Sequence, residues 1–387
     1  MKMKYLSLVL LCAALFNSPV SANDGVIKIG FNLPLTGWLE QAGGHAKDAA
    51  ELVRKDIEAA GGLHVGTKTY DVEFFYGDNT SEPYVASKLA LDQVSKIQVL
   101  GLVGPLSSRH AIPVGQMVNA FSTPMIASWS ASPTTTKDRS FVFRSNSIFT
   151  KQGPVITTFV AKEFQATKAA VLYDIVSPAP RGMTKNFKEA FEKTNGVGSV
   201  VAIEIFRTGD KNFREQLTRI KESSAQVLYL PQHVAQVPLV VRQAKEVGLK
   251  IPIVGGGSWA GGDLIGACGA DCVGLFYAGD YAPGGATGLN KQFVEAYMAA
   301  YKQYPDAPAA LTWDASRALL QAIRNTGNLT GKLIDDRVAV KTALSKLKNF
   351  DGASGMMSFN ATGDPDKCVV IVRVDADVLT AYQSVCP

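Results

Sequence analysis

The chain has 387 residues, 47% of them hydrophobic and 19% charged, with 39 basic against 34 acidic side chains. That length suits two domains, each large enough to bury its own core. A formal charge of +5 with no basic cluster interleaved with aromatics gives no footing for nucleic-acid binding.

Lys2 and Lys4, an apolar run from Tyr5 to Phe16 and the small-residue end Val20-Ser21-Ala22 make residues 1–22 a cleaved secretory signal peptide. The run is too short to span a bilayer, and no later segment is long and apolar enough. Cys12 lacks the small residues expected just before a lipidated cysteine. Cleavage after Ala22 takes two lysines and leaves 37 basic against 34 acidic residues, a net +3, in a soluble exported protein. Cys268, Cys272, Cys368 and Cys386 remain, and an even number in an oxidising compartment predicts disulfides. Local pairing, 268–272 and 368–386, is the simplest of three connectivities. A zinc site is disfavoured, since neither spacing is Cys-x-x-Cys and no histidine is near in sequence.

Val26 to Phe31 reads as a strand ending at Asn32-Leu33-Pro34-Leu35-Thr36-Gly37, followed by a helix from Ala46 to Ala60. Tyr70 to Tyr76 alternates as a strand, and Pro83 opens a helix to Ile97. Val99 to Val103 is an apolar run stopped by Gly104-Pro105, with Ser107-Ser108 ahead of a helix from Ala111 to Ala120. In an open α/β sheet ligands bind beyond the carboxyl ends of strands, and a helix N-terminus there favours an anion. The alternative role for one of these serines is to N-cap the helix. Pro124 to Ala127 and Phe141 to Arg144 are further short strands.

A second cycle follows, with strands at 169–174, 200–206, 226–230, 251–254 and 273–277. Helices are expected at 153–164, 182–194, 212–223, 237–247, 290–301 and 309–326, and a last strand at 368–374. This alternation predicts two α/β units with parallel sheets and right-handed crossovers, and a ligand in the cleft between them.

Several stretches carry a resemblance to a known family: Ile29-Gly30 with Pro34-Leu35-Thr36-Gly37, Glu58-Ala59-Ala60-Gly61-Gly62, Val103-Gly104-Pro105, Arg144, Gln152-Gly153-Pro154 and Arg242 to Leu249. In this order and spacing the chain resembles the solute-binding proteins of ABC importers, in the branched-chain amino-acid-binding (Leu/Ile/Val-type) family. The resemblance implies a two-lobe type I periplasmic-binding-protein fold with three hinge crossings, near Arg144, Asp280 and Met357. Lobe one is then 24–146 plus 281–355, and lobe two 147–280 plus 356–387. It also implies that Ser108, Ser130, Ala131 and Ser132 hold a ligand carboxylate, which agrees with Ser107-Ser108 as read from the residues. Trp38 matches a first-loop aromatic that packs on the ligand.

Lobe two departs from the family's pattern. The usual tyrosine is replaced by the stretch Ser177-Pro178-Ala179-Pro180-Arg181, and Gly257 stands where an acid pairs with the ligand ammonium. An unpaired ammonium in a closed cleft is costly, so Asp280 substitutes or the ligand is not an α-amino acid. Trp129, Gln232, His233, Trp259 and Tyr281 complete the candidate contacts, with Trp129 and Trp259 open to a plain packing role. Beside a carboxylate pocket, such aromatics suit a flat aromatic acid.

The expectation is a periplasmic, monomeric, non-enzymatic protein without cofactor or metal. It delivers a small carboxylate-bearing ligand, an amino acid by family default or else an aromatic acid, to ABC permease membrane subunits. A sensory ligand-binding domain of the same fold is the alternative, although the chain ends at Pro387 with no membrane helix or kinase. A secreted esterase using Ser258 is disfavoured, because Gly256-Gly257-Ser258-Trp259-Ala260 misses the last glycine of a nucleophile elbow. His45, His64, His110 and His233 are scattered, and no dinucleotide fingerprint follows the first strand. Arg109 is either a cleft cation or a surface ion-pair partner.

Overall fold

A computed structural model describes residues 23–386; the expected signal peptide, residues 1–22, lies outside them. The first sheet contains β1 (Val26–Leu33), β2 (Leu63–Val65), β3 (Lys68–Asp78), β4 (Gly101–Val103), β5 (Met125–Ala127) and β6 (Val142–Arg144). Their order is β2-β3-β1-β4-β5-β6, parallel except for the β2–β3 pair. β4, β5 and β6 are wholly buried, as short apolar strands covered on both faces must be.

The second sheet begins with β7 (Ala169–Asp174), β8 (Val200–Phe206), β9 (Val227–Leu230), β10 (Ile253–Gly255) and β11 (Phe276–Gly279), all parallel. After the small hairpin of β12 (Ser358–Phe359) and β13 (Pro365–Asp366), β14 (Val369–Val374) and β15 (Leu379–Val385) join it antiparallel. Its order is β15-β14-β11-β10-β9-β7-β8. The chain thus leaves the first sheet after β6 and builds most of the second. It returns with the helix Ala307–Arg324 packed on Glu40–Ala59, then ends in the second sheet. Two lobes of the type I periplasmic-binding-protein fold result.

Both disulfides join the local pairs, Cys268–Cys272 and Cys368–Cys386. No described helix is long and apolar enough to cross a membrane.

Several element boundaries differ from the sequence expectation. The fifth strand of the second unit starts at Phe276, not Val273. The Cys268–Cys272 loop runs on into a turn in which Leu275 N–H bonds to the Cys272 carbonyl and Gly274 takes φ +85°. Helix Leu333–Ser345 was not expected. Ile334 and Val338 face outward on it, and a buried Arg337 interrupts its apolar stripe by donating to the carbonyls of Val94 and Val99. β2 and β15 were also not expected, and residues 178–181, outside the expected helix 182–194, form the first turn of helix Pro178–Asn195.

Candidate ligand-binding cleft

Helix Ser108–Ala120 starts three residues earlier than its apolar spacing suggested, and the two serines divide the work. Ser107 is the N-cap, its hydroxyl accepting from Arg109 N–H at 3.2 Å. Ser108 is buried and shares a hydrogen bond with Ser130 Oγ at 2.9 Å, while its Oγ accepts from Ser132 N–H at 3.2 Å. The turn feeding this helix needs Gly104: φ is +90°, and a Cβ there would lie 2.5 Å from the Asn32 carbonyl oxygen.

Arg144, at the end of β6, holds the loop that carries Ser130. Its guanidinium is fully buried and donates to Ser130 O at 2.9 Å and Thr136 Oγ1 at 2.8 Å, with Nε 2.6 Å from Asp364. Burial lowers its pKa to about 10 against the opposing pull of Asp364, so it stays charged at neutral pH.

Between the strand ends of the two sheets lies a narrow pocket of about 370 Å³ including its mouth. From the first sheet come Ser107, Ser108, Trp129 and Ala131, with Asn146 on the chain leaving β6; from the second come Gln152, Ala179, Met183, His233, Gly257 and Ser258. Nearly all stand just beyond the carboxyl ends of parallel strands, where open α/β sheets place ligands. Among these lining residues none is charged. Buried polar atoms without partners converge here: both amide atoms of Gln152, Asn146 Oδ1 and His233 Nδ1. A larger groove of about 920 Å³, lined by Asp280, Tyr281, Gly285 and Asp351 among others, sits where the chain crosses between sheets. The smaller pocket is the better candidate, because it joins strand ends of both lobes around unanswered polar groups.

The lobes meet around it. Trp38, 47% exposed and so at the mouth, sets its ring edge-on to His233 with centroids 4.8 Å apart. Trp129 lies flush on Gly261, where a Cβ would fall 2.2 Å from its ring. Gln41 Oε1 accepts from Asp263 N–H at 3.1 Å, and Asp306 Oδ2 from Gly262 N–H at 3.2 Å. Burial pushes the pKa of His233 down to about 4, only partly countered by Asp174, so its imidazole is neutral at pH 7.

Of the expected site residues, Ser107, Ser108, Trp129, Ala131, His233 and Gly257 line this pocket, and Trp38 covers it. Ser130, Ser132 and Gln232 stand behind the lining. Ser130 bonds to Thr135 Oγ1 at 2.7 Å, Ser132 caps the short turn Pro133–Thr135, and Gln232 donates to Leu172 O. Three further expected residues lie outside the lining of this pocket. Trp259 is fully buried in the second lobe, with its indole N–H on Leu230 O at 2.8 Å, and fills the space left by Gly255. Asp280 accepts from Ser147 N–H at 2.7 Å and from the Ser147 hydroxyl, with Lys367 Nζ 3.8 Å away, so its charge is spent at the crossings. Tyr281 is buried beside it and lines the larger groove.

Arg109 is exposed, 4.0 Å from Glu82, on the surface. Ser258 donates to Gln232 O at 2.7 Å rather than to a base, which removes the esterase arrangement. Asn146, Gln152, Ala179, Met183 and Ser258 are lining residues the sequence did not single out as contacts. The one available signal was Gln152 in the family-like Gln152-Gly153-Pro154. Among the described residues no cluster of potential ligands for a metal occurs.

The family model described as periplasmic binding protein matches residues 26–378. Leu/Ile/Val-binding protein homolog 2 of Brucella abortus (strain 2308) is 26% identical over 363 residues, 92% of each chain. Leu/Ile/Val-binding protein BraC3 of Rhizobium johnstonii is 27% identical over 361 residues, again 92% of each. A leucine-binding protein structure from Thermotoga maritima superimposes with a TM-score of 0.84 at 27% identity, covering 93% of this chain and 99% of that one. An ABC-transporter solute-binding protein of R. palustris in complex with benzoate shares the fold, with a TM-score of 0.81 at 21% identity over 94% of this chain and 97% of that one.

Proposed function

Because the chain belongs to the periplasmic binding protein family, a family of solute-binding proteins rather than enzymes, we propose that it captures a small carboxylate-bearing solute that carries no ammonium group. The family acts outside the cytoplasm. For this chain we place that role in the periplasm, after removal of residues 1–22, as a monomer that hands its ligand to the membrane subunits of an ABC importer. The observation that carries the ligand reading is the uncharged lining of the interlobe pocket. An ammonium there would be buried without a counter-charge, at a cost of several kcal/mol.

The carboxylate end has a natural seat in lobe one, at the N-terminus of helix Ser108–Ala120 beside the Ser108 hydroxyl. Trp129, Ala131, Ala179 and Met183 supply the apolar walls, which suit a flat ring. The names of the curated relatives favour an aliphatic amino acid; the benzoate complex on the same fold shows that the architecture also takes an aromatic acid. The missing carboxylate at Gly257, together with Asp280 being occupied elsewhere, favours the acid.

Lobe one would comprise 24–146 plus 281–355 and lobe two 147–280 plus 356–387, hinged near Arg144, Asp280 and Met357. The fit of Trp129 on Gly261 and of Trp38 on His233 supports closure about that hinge. Ligand that binds the native state must raise its melting temperature. Refolded, ligand-stripped protein is expected to gain several degrees with benzoate and nothing with methyl benzoate. An equal gain with the ester would remove the carboxylate from the account.

A further inference from the structure

We propose that Gln152 is a specificity-determining residue that reads a hydroxyl group at the end of the ligand opposite its carboxylate. This deepens the assignment of a small aromatic acid and rests on it.

Gln152 lies in the first turns of helix Phe149–Phe164, is 2% exposed and lines the pocket from lobe two. Neither Nε2 nor Oε1 has a hydrogen-bond partner, although both are buried. Buried side-chain amides are almost always satisfied, and two orphaned atoms on one side chain at a pocket wall point to a missing partner. The amide sits against Gly257: a Cβ at that position would be 3.3 Å from Nε2 and 3.5 Å from Oε1. Where the family pattern puts an acid, this chain therefore has a glycine closed in by the neutral amide of Gln152.

The donor and acceptor inventory selects the partner. Gln152 offers a donor, Nε2, and an acceptor, Oε1; on the lobe-one side Asn146 Oδ1 is a further free acceptor, its Nδ2 already donating to Trp129 O. An ammonium only donates and would leave Nε2 unanswered. A second carboxylate only accepts and would leave Gln152 Oε1 unanswered. A hydroxyl does both, and it is small and uncharged enough for a pocket without charged walls. With the carboxylate on lobe one and the hydroxyl on lobe two, the ligand spans the cleft, so each lobe holds one polar end and closure completes recognition. A site built to bond a hydroxyl discriminates strongly against the analogue lacking it, because its own polar groups are then stranded.

The test is the affinity ratio of hydroxylated to unsubstituted acid, measured by calorimetry on the full processed chain with benzoate, 3-hydroxybenzoate and 4-hydroxybenzoate. The wild type is expected to bind at least one hydroxybenzoate tenfold or more tighter than benzoate. Gln152→Leu is expected to bring that ratio close to one. Gln152→Glu keeps the shape, removes the donor and should also collapse the ratio, which guards against a packing fault in the leucine variant. A wild-type ratio near one with benzoate bound overturns the role of Gln152 while leaving the aromatic-acid assignment standing, as does a ratio that survives both substitutions. Failure of all three acids to bind, with L-leucine binding, overturns both.

Discussion

Gly261→Ala is expected to weaken ligand binding roughly ten- to hundredfold while leaving the melting temperature of the ligand-free protein nearly unchanged. Gly261 follows the second-lobe turn Gly257–Ala260, and its backbone (φ −103°) is open to any residue, so strain is not the issue. A Cβ there would lie 2.2, 2.7 and 2.9 Å from three ring atoms of Trp129, which belongs to the other lobe. Trp129 is pinned by its position on the loop after β5 and has little free space, being only 9% exposed. The clash is relieved most cheaply by parting the lobes. Overpacking of this kind typically costs about 1–3 kcal/mol, and each 1.4 kcal/mol is a factor of ten in affinity. A calorimetric titration with benzoate paired with a melting curve of the free protein separates lost closure from lost folding. A large drop in the free protein's melting temperature would show that Gly261 serves folding instead.

Acid is expected to open the cleft through His233. Its pKa is held down to about 4 in the closed form by burial, against an ordinary 6.5 once the lobes part and Trp38 lifts away; Asp174 is the carboxylate that partly opposes this. The closed state therefore binds a proton less readily than the open one. The contribution of neutral His233 to closure is complete above pH 6.5 and is lost as pH falls from 6.5 through about 4. Over that window it amounts to at most about 3 kcal/mol, and part of the ring reaches solvent, so affinity should fall by up to tenfold per pH unit. His233→Gln should remove this slope. His45, whose pKa is raised by Asp306 despite its burial, pulls in the opposite direction, but it is present in both proteins and cancels from the comparison. Equal slopes in wild type and variant would show that His233 does not gate closure.

What was legible in the sequence follows from local physics. Apolar runs broken by proline or glycine marked β1, β4 and β10, and the hydroxyls at Ser107 and Ser108 sat where a helix start must follow a parallel strand. Both serines line the pocket, but only Ser107 caps the helix while Ser108 bonds to Ser130 and Ser132, a division only φ, ψ and hydrogen bonds reveal. Trp129 and Trp259 could not be told apart by type or by their place after a strand. One lies on the facing lobe; the other turns inward because Leu230 O takes its N–H. Asp280 looked free because its partners, Ser147 and Lys367, are 133 and 87 residues away in the chain. Gln152 was hidden in a helix of ordinary amphipathic pattern, and nothing local shows that its amide lacks a partner.

A cleft that takes a carboxylate and refuses an ammonium must tell benzoate from L-leucine. The decisive measurement is a titration of the same ligand-stripped preparation with each, in one buffer at pH 7.5. Benzoate is expected to bind at least tenfold more tightly, since no charged side chain lines the pocket to receive the amino group. Leucine binding as tightly as benzoate, or more so, would contradict the account and return the chain to its amino-acid-binding relatives.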